Sequence, residues 1–526
     1  MWLCILFFAF VFLSSIFSYV ILENPSSHHI TSSHNKIKQM QTMQTEEQQP
    51  RVDIVLGGQL GDEGKGRLID ILAADYDIVA RCNSGGNAGH KVVVGEHTYA
   101  FHMVPSGILN PNTIAVIGNG CVINLEDLRD EIANIQSIDS NNKATQNLSA
   151  RLLISNRAHI VLPIHKLADG ARENAKSATG TSIGTTKQGM GPVYATKALR
   201  VGLRMCDLFL TRQELLPKVK LLLNELASLS QSSTTNQSID INILPTPEEI
   251  VKTLLEHATY YKPMICDTVS YLNKALSPSN NKSKGQYKRP AKILVEGAQA
   301  AMLDIDFGVY PYCTATTCTI GAICSGLGIP PHYITGINYV IKTYTTRVGN
   351  GPFPTELPAD TPTSSGSKLQ LIGHEYGTTT GRTRRCGWLD IPMIKWALMV
   401  NGTPSGAARI CMTKLDVLDT FPEIKIATKY YLPSSTTSEI ADYSFDILEE
   451  QNGFPASLED LTHATVVYET FPGWLEPTTH IREYEQLPTA AKKYISRIEE
   501  LLGIPIQWIG VGASRDAMII KPTRAE

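Results

Sequence analysis

The sequence predicts an α/β fold: one large domain built on a central, mainly parallel, twisted β-sheet flanked by helices, with small subdomain insertions. Two observations lead to this prediction. Short β-branched apolar runs alternate along the chain with segments of helical periodicity, which is typical of sheets with parallel strands. Hydrophobic residues make up 43% of the chain and charged residues 18%, which is enough for a substantial core. The clearest strand-like runs are residues 52–56, 114–117, 293–295, 339–342 and 409–412.

The composition of the 526 residues excludes several classes of protein. A net charge of −3 gives no reason to expect nucleic acid or acidic membranes as partners. The ten cysteines show no CxxC spacing, so neither a zinc site nor a disulfide framework is indicated. We assign residues 51–526 to a catalytic domain and residues 1–50 to an apolar leader with a polar linker. Polar segments at 228–239 and 277–289 are predicted to be surface insertions.

The N-terminal segment differs from the rest of the chain. Residues 2–22 are almost wholly apolar, which is long enough for a signal-peptide core or a membrane anchor. The segment lacks a positive n-region and a clean small-residue cleavage site. Three interpretations stay open: a leader that targets a plastid or another organelle, a membrane anchor, and a start codon placed too far upstream. We expect a cytoplasmic protein, with membrane contact only if the apolar segment is retained.

Residues 61–66, with the sequence GDEGKG, form the most informative motif. They follow a strand-like run, and a helical pattern begins near Gly64, so the loop is predicted to point backbone amides at an anion. Its three glycines let the backbone approach a phosphate closely. The loop is not of the Walker A type, because Gln59 and Gly66 stand where that motif needs a glycine and a hydroxyl. Asp62 is therefore the natural ligand for Mg²⁺, and a carboxylate beside a phosphate cradle indicates phosphate chemistry.

A second motif, Lys414-Leu415-Asp416, follows the strand-like run at 409–412. A carboxylate there can accept hydrogen bonds from N1–H and the exocyclic amine of guanine, an edge that adenine does not present. The lysine stem can lie against the purine face. Alone, the tripeptide is more often surface charge. After a buried strand, in a chain with a phosphate loop, it favours GTP over ATP.

Two loops rich in hydroxyl groups complete the set of motifs. Residues 377–385 (GTTTGRTRR) combine glycines, threonines and three arginines, the composition of a mobile clamp for carboxylate or phosphate. Residues 183–192 (IGTTKQGMGP) have the same anion-binding character. A basic surface loop is the common alternative for residues 377–385, but so dense a cluster in a chain of slightly negative net charge favours a small-anion site. Residues 183–192 alone are a weak signal. Because ligands of open α/β sheets bind at the carboxyl ends of strands, we expect all these motifs to lie there.

Together these motifs resemble the adenylosuccinate synthetase family in its eukaryotic form. Members of this family are GTP-dependent ligases that join IMP and L-aspartate. The match extends from about residue 52 to about residue 520, and it depends on the number and order of the blocks rather than on any single one. The matching blocks are residues 61–66, 87–90, 185–192, 295–299, 303–306, 310–312, 346–356, 379–388, 413–416 and 468–474.

The resemblance implies a reaction and a set of catalytic roles. GTP would phosphorylate O6 of IMP to give 6-phosphoryl-IMP, and the aspartate amine would displace phosphate, in the first committed step from IMP to AMP. Asp62 would take the proton from N1 of IMP and, with the Gly89 carbonyl, hold one Mg²⁺ per site. His90 would donate to the γ-phosphoryl group, and Lys65 would spread its charge. The implied catalytic residues are Asp62, His90, Lys65 and Gln299.

The same resemblance implies three binding sets and a partner subunit. Arg200 would reach the IMP of a neighbouring subunit, so a homodimer with shared sites is expected. The GTP set is Gly61, Asp62, Glu63, Gly64, Lys65, Gly66, Arg67, Gly89, His90, Lys91, Arg384, Lys414, Leu415, Asp416, Gly510, Val511 and Gly512. The IMP set is Asp62, Glu63, Gly64, Lys65, Asn87, Ala88, Gly89, His90, Thr186, Arg200, Gln299, Thr314 and Arg382. The aspartate set is Thr379, Thr380, Gly381, Arg382, Thr383, Arg384 and Arg385.

The chain departs from the pattern of the family at three places. Lys91 follows His90 where the family usually has a threonine, residues 315–317 read Ala-Thr-Thr in place of Ser-Ser-Asn, and Leu60 replaces a tryptophan. None of these changes removes an implied catalytic group. Two other classes of protein therefore stay open: a guanine-nucleotide switch, against which the non-Walker loop and His90 argue, and an inactive paralogue with a structural role.

Overall fold

The computed structural model describes residues 49–139, 143–146, 148–231, 245–277, 289–377, 381–403, 407–432, 443–445 and 454–522. The leader at residues 1–48 lies outside this part of the chain, as do most of the two predicted insertions, residues 232–239 and 278–288. The first four residues of the earlier insertion, 228–231, continue a long helix.

The strands are distributed along the whole described chain. In chain order they are β1 (Arg51–Gly57), β2 (Ile78–Arg81), β3 (His90–Val94), β4 (His97–Phe101), β5 (Ile114–Ile117), β6 (Val122–Ile123), β7 (Leu152–Ser155), β8 (His159–Ile160), β9 (Ile265–Cys266), β10 (Lys292–Glu296), β11 (Ile334–Lys342), β12 (Thr345–Arg347), β13 (Arg385–Gly387), β14 (Leu389–Asp390), β15 (Ala408–Thr413), β16 (Glu423–Leu432), β17 (Tyr443–Phe445), β18 (Thr465–Pro472), β19 (Ile506–Gly510) and β20 (Met518–Ile520).

Helices fill most of the connections between these strands. In chain order they are α1 (Lys65–Leu72), α2 (Leu125–Ile138), α3 (Lys143–Gln146), α4 (Leu148–Arg151), α5 (Pro163–Ala178), α6 (Met190–Ala198), α7 (Arg212–Gln231), α8 (Pro247–Tyr261), α9 (Thr268–Leu276), α10 (Gly321–Leu327), α11 (Ser365–Ile372), α12 (Ile391–Asn401), α13 (Leu458–Thr462) and α14 (Thr489–Leu502). Within the described residues, no helix is both long enough and apolar enough to cross a lipid bilayer.

A ten-stranded sheet forms the centre of the molecule, in the order β20-β19-β15-β11-β1-β10-β2-β5-β7-β9. Every neighbouring pair is parallel except β19 with β20 at one edge. All five predicted strands lie in this sheet, as β1, β5, β10, β11 and β15. The α/β prediction with a mainly parallel sheet is therefore confirmed. Its smaller additions include the sheet β14-β16-β17 with β18 on β16, and the hairpin of β3 and β4.

The apolar sequence of β1 is explained by burial on both faces of the sheet. Ile54 and Val55 are neighbours whose side chains point to opposite faces, and both are wholly buried. Ile54 belongs to a core cluster that also contains residues of α9, α10, α12 and α14. Val55 belongs to a cluster with Leu68 and Ile69 of α1. A strand covered by helices on both faces has a continuous apolar run rather than an alternating one.

The carboxyl edge of this sheet carries three of the predicted motifs. The glycine loop follows β1, the segment at 87–90 lies between β2 and β3, and the Lys-x-Asp turn follows β15. The expectation that every motif lies at the end of a sheet strand is wrong for two loops. Residues 183–189 connect α5 to α6, and the arginine-rich loop lies between α11 and β13, where a bridge between Tyr376 and Thr383 makes it a hairpin tip. Both loops reach the site from insertions.

Candidate active site

The glycine loop turns sharply between β1 and α1. Gly61, Asp62 and Gly64 have φ angles of 92°, 59° and 91°, all in the left-handed region. Glycine adopts this region without cost, whereas a non-glycine residue such as Asp62 rarely does, and such residues cluster at functional sites. Helix α1 begins at Lys65 with Gly64 as its N-cap, which confirms the predicted start. The turn thus presents the Asp62 side chain at the carboxyl edge of the sheet.

The Glu63 carboxylate is wholly buried and holds the loop in shape. Its Oε1 accepts hydrogen bonds from the backbone amides of Gly61 at 2.8 Å and Gln59 at 3.3 Å. Its Oε2 pairs with Lys65 Nζ at 2.8 Å. The Glu63 side chain therefore serves the loop itself, and Lys65 has a counter-ion inside the loop that a bound phosphate would compete with.

Asp62 lies against the arginine-rich loop, which is 322 residues away in sequence. Its Oδ2 accepts from Arg384 Nε at 2.8 Å, and its side chain keeps 30% of its exposure. Its Oδ1 has no hydrogen-bond partner within the described part of the chain. The two motifs that the sequence analysis placed in one site do meet, and one carboxylate oxygen of Asp62 stays available.

A buried carboxylate that the sequence analysis missed lies behind this pair. Glu375 is wholly buried and contacts Lys342 Nζ at 3.0 Å, Lys414 Nζ at 2.6 Å and Arg384 Nη1 at 2.7 Å. Burial alone would raise the pKa of Glu375, but these three cations outweigh it and hold the pKa well below its usual range. Burial lowers the pKa of Lys342 to about 8, with Glu375 opposing it. No local pattern in the sequence marks either residue.

His90 is oriented by a second unpredicted carboxylate, Glu296, at the end of β10. His90 Nδ1 lies 2.6 Å from Glu296 Oε1, and both side chains are buried. Glu296 Oε2 accepts from the amide and the hydroxyl of Ser106 at 2.8 and 2.9 Å. Burial would raise the pKa of Glu296, but His90, Arg81 and the Ser106 amide lower it to about 2. The ionised carboxylate fixes the proton on Nδ1 and leaves Nε2 for another partner. An acid that ends a buried strand, as in KILVE, was the signal for Glu296.

The Lys-x-Asp turn leaves one acceptor without a partner. Asp416 Oδ1 is buried and has no hydrogen-bond partner among the residues that the structure describes, and burial raises the pKa of this carboxyl. A buried acceptor without a donor is costly, so its presence points to a ligand that supplies the donor. Leu415 is wholly buried in the core, so only its backbone can face a nucleotide. The Arg67 guanidinium lies beside the predicted glycines of this pocket and donates to the carbonyl of Gly512.

Residues of the predicted IMP set come together from neighbouring strands. Asn87 follows β2 and Gln299 follows β10, and Gln299 Nε2 approaches the Asn87 carbonyl at 3.4 Å. Gln299 has a φ of 67°, in the left-handed region. In the hydroxyl-rich loop, the Gly184 carbonyl accepts from Arg382 Nη2 at 2.8 Å. This contact links the predicted IMP loop to the predicted aspartate loop.

The hydroxyl-rich loop is held in place by an acid on α5 that the sequence analysis did not single out. Glu173 is buried, and its Oε1 accepts from the amide of Gly184 at 2.5 Å and of Thr185 at 3.3 Å. From the next turn of the helix Asp169 Oδ2 accepts from the Gly189 amide at 2.9 Å. Thr186, between these points, is half-buried.

Several predicted residues are not brought into this arrangement. Arg200 is exposed at the end of α6, with a φ of 66° and no side-chain partner in the described part of the chain. Arg385 is occupied by an ion pair with Glu356 and by the Gly351 carbonyl. Lys91 is exposed on β3 beside buried His90 and Val92, so its side chain points away from the His90 ring. Thr379 and Thr380 lie outside the described residues.

The other two departures have visible structural settings. Leu60 is buried in a cluster with Met302 and Val309, where an indole would need more room. Residues 315–317 line a cavity of about 240 Å³ together with Tyr194 and Lys197 of α6. Neither departure alters a side chain that contacts Asp62 or His90.

The fold and the site are those of an enzyme that uses a nucleotide. A non-Walker glycine loop and an arginine-rich loop meet at Asp62, and the Lys-x-Asp turn lies at the same edge of the sheet. The sequence profile described as adenylosuccinate synthetase matches residues 54–519. The chain therefore belongs to the adenylosuccinate synthetase family, whose members join IMP and aspartate at the expense of GTP. The resemblance and the ligase activity expected from the sequence are confirmed at this level.

Two solved structures are similar to this chain. One is a fully ligated adenylosuccinate synthetase from Plasmodium falciparum, 39% identical, with a TM-score of 0.77 over 90% of this chain and 100% of that chain. The other is the succinoaminodeoxyadenylate synthetase of cyanophage S-2L, bound to dGMP and dATP, 18% identical, with a TM-score of 0.50 over 91% of this chain and 97% of that chain. The second likeness concerns the fold alone.

We expect Glu296→Gln to change the dependence of stability on pH. The folded pKa of about 2 is below the ordinary value of 4.5, so the unfolded state binds more protons between these values. The stability contributed by Glu296 is therefore complete above about pH 5 and disappears as the pH falls toward 2. The difference in unfolding free energy between wild type and Glu296→Gln, measured by denaturant titration, should shrink over that interval.

Glu131→Gln is the matched control for this prediction. Glu131 is equally buried and accepts the amides of His102, Met103 and Val104, but burial raises its pKa. The difference in unfolding free energy between wild type and Glu131→Gln should therefore grow as the pH falls. Equal behaviour of the two variants would mean that Glu296 is not held ionised.

Proposed function

We propose that this chain forms adenylosuccinate from IMP, L-aspartate and GTP through a 6-phosphoryl-IMP intermediate, with Asp62 as the base. The observation that carries the proposal is the place of Asp62, between the phosphate loop and the arginine loop, with Oδ2 on Arg384 and Oδ1 available. A fixed carboxylate with one open oxygen can accept a proton from a bound base. Arg384 keeps that carboxylate oriented while it does so.

The first step transfers a phosphoryl group. O6 of IMP forms a bond to the γ-phosphorus of GTP as N1 loses its proton to Asp62, and the bond from phosphorus to the bridging oxygen breaks to release GDP. Lys65 and the loop amides face the charge that develops on the phosphoryl oxygens. In the second step the neutral aspartate amine attacks C6, the bond from C6 to O6 breaks, and the phosphate leaves with the proton that the amine gives up. Phosphorylation has turned a poor leaving oxygen into a good one.

His90 would stabilise the transferring phosphoryl group through Nε2. Burial lowers the pKa of His90. A polyphosphate beside the ring would raise that pKa, because a nearby negative charge favours the protonated imidazole. The bond from Nδ1 to Glu296 holds the ring still, so the new proton would be on Nε2.

One Mg²⁺ fits this site through hard oxygen donors. Asp62 Oδ1 is available and partly exposed, and the Gly89 carbonyl precedes His90 in the same cluster. No group of three or more potential metal-binding side chains exists among the described residues, which suits an ion held chiefly by phosphates and water. When bound, Mg²⁺ supplies neutralisation of the charge on the β- and γ-phosphate oxygens.

The other substrate contacts are proposed to come from segments that follow sheet strands and from the two insertions. Asn87, Gln299, Thr186, Thr314 and Arg382 would hold IMP. The arginine loop would close over the carboxylates of L-aspartate, since arginine binds carboxylates through two parallel hydrogen bonds. Asp416 would read guanine, and its buried Oδ1 supports this assignment because N1–H or the exocyclic amine would supply the missing donor.

A homodimer with shared sites accounts for Arg200. Its side chain is exposed, it stands in the left-handed region, and it makes no contact with the site of its own chain among the described residues. An exposed arginine just after a helix, without a side-chain partner among the described residues, can bind a phosphate held by a second copy of the chain.

The reaction is tested by the dependence of GTP turnover on both co-substrates. Purified protein with GTP and Mg²⁺ should release phosphate only when IMP and L-aspartate are both present, and adenylosuccinate should form in equal amount. Chromatography of the nucleotides measures both. GTP hydrolysis that ignores IMP and aspartate would indicate a switch protein, and a folded chain without any turnover would indicate an inactive paralogue.

We predict that Asp416→Asn changes the nucleotide from GTP to XTP. Asparagine can donate to the 2-oxo group of xanthine and accept from its N1–H, whereas it presents a donor to the exocyclic amine of guanine. The kcat/KM for GTP should fall by about 100-fold or more, and activity with XTP should appear. Asp419→Asn, in the same segment but bonded to Trp474 and Thr478, is the control. Loss of both activities in a folded Asp416→Asn protein would contradict the assignment.

Subunit mixing tests the shared site. Arg200→Leu and Asp62→Asn should each be nearly inactive, but mixing them should restore activity, because one site of each heterodimer has both native residues. Random exchange should give about one quarter of wild-type turnover. Exchange is followed separately with differently tagged chains. Full exchange without recovered activity would place Arg200 outside the neighbouring site.

A further inference from the structure

Glu375 connects parts of the site that different substrates are expected to use. Lys414 belongs to the turn after β15 and to the predicted guanine pocket. Arg384 belongs to the arginine loop and contacts Asp62. Lys342 is the last residue of β11. All three cations contact the same carboxylate. Arg384 is 9 residues from Glu375 in sequence, across the hairpin, whereas Lys342 and Lys414 are 33 and 39 residues away.

The two oxygens of Glu375 divide these partners between them. Oε1 accepts from Lys414 Nζ at 2.6 Å and from the Tyr344 hydroxyl at 2.5 Å. Oε2 accepts from Arg384 Nη1 at 2.7 Å. Lys342 Nζ lies across both oxygens, at 3.1 and 3.0 Å. Rotation of the carboxylate toward one substrate pocket would therefore change its bonds to the other.

The charges make Glu375 the part of this cluster that has no substitute. The three cations around Glu375 repel one another. Among the described residues, Arg384 is the one of the three that also pairs with a second carboxylate, that of Asp62. Lys342 is completed by the Thr346 hydroxyl at 2.7 Å and Lys414 by the Gly373 carbonyl at 2.6 Å, both neutral acceptors. Buried charges are tolerated when they are paired and hydrogen-bonded, and low polarity strengthens the interactions among them.

We propose that Glu375 is a positioning residue that couples Lys414 of the guanine pocket to Arg384 beside Asp62, so that binding of the nucleotide base and binding of L-aspartate favour each other. The proposal rests on the proposed function. When the Lys414 stem packs on guanine, its bond to Oε1 fixes the carboxylate, and Oε2 then holds Arg384 beside Asp62. By thermodynamic reciprocity, aspartate held by the arginine loop strengthens the grip on the base to the same extent.

The coupling is measured as a ratio of affinities rather than as a rate. Calorimetry gives the Kd of GDP for the protein alone and in the presence of saturating IMP and L-aspartate, a mixture that cannot react. In wild type we expect GDP to bind at least tenfold more tightly with IMP and aspartate present. In Glu375→Gln, which keeps the shape but removes the charge, we expect that ratio to fall to about one.

Steady-state kinetics provide the second measurement. KM for GTP and KM for L-aspartate should both rise at least tenfold in Glu375→Gln, a larger factor than the fall in kcat that follows because Arg384 is held less firmly beside Asp62. A general loss of structure would lower kcat without raising both KM values. Glu375→Asp is the second variant, to be used if Glu375→Gln does not fold. It keeps the charge but is one methylene shorter, so it cannot hold Lys414 and Arg384 together and should also lose most of the coupling.

Asp53→Asn is the matched control. Asp53 is a buried carboxylate on β1, paired with Arg51 and bonded to the Tyr76 hydroxyl, but it lies at the amino end of the strand, on the sheet edge opposite the site. This variant should lose stability and keep the wild-type coupling ratio. Wild-type coupling in Glu375→Gln or in Glu375→Asp would overturn the inference. Absence of turnover in wild type would instead overturn the proposed function.

Discussion

Parallel pairing of β2, β10, β1, β11 and β15 is the constraint on which the rest of the site depends. Parallel strands must all end at the same edge of the sheet, so the segments that follow them become neighbours whatever their distance in sequence. The phosphate loop, His90 with its carboxylate and the base-reading turn meet for this reason alone. Thr413 at the end of β15 bonds directly to the carbonyl of Glu63 at 2.7 Å. Only the two insertions reach the site by another route.

The cations of the site form ion pairs with carboxylates of the same chain. Lys65 pairs with Glu63, Arg384 with Asp62, and Lys414 with Glu375. Each cation that is suited to phosphate, carboxylate or base thus already has an internal counter-ion. A substrate has to compete with these carboxylates, which favours ligands that engage several cations at once over a single stray anion.

The sequence predicted what is local and missed what depends on tertiary contact. The strands of the central sheet could be predicted because both faces of strands such as β1 are buried, which leaves an unbroken apolar run. The glycine loop could be predicted because its conformation needs glycine at Gly61 and Gly64. Glu375 and Lys342 belong to no local pattern. Glu296 is marked only as an acid at the end of a buried strand, and its partner His90 is 206 residues away in sequence, so its role could not be predicted locally. The arginine loop was recognised by its composition but placed wrongly, because hairpin insertions leave no periodic signal.

The hydrogen bond from Thr413 to Glu63 has a consequence for the length of the ligand that the site can bind. The Thr413 hydroxyl donates to the main-chain carbonyl of Glu63 and so ties the end of β15 to the glycine loop after β1. Both segments leave strands of one sheet, with β11 between them. The distance between the turn after β15 and the loop after β1 is therefore set by the spacing of the strands. If a nucleotide binds both segments as proposed, its length has to match this distance, and a nucleoside with fewer phosphates would reach only one of them.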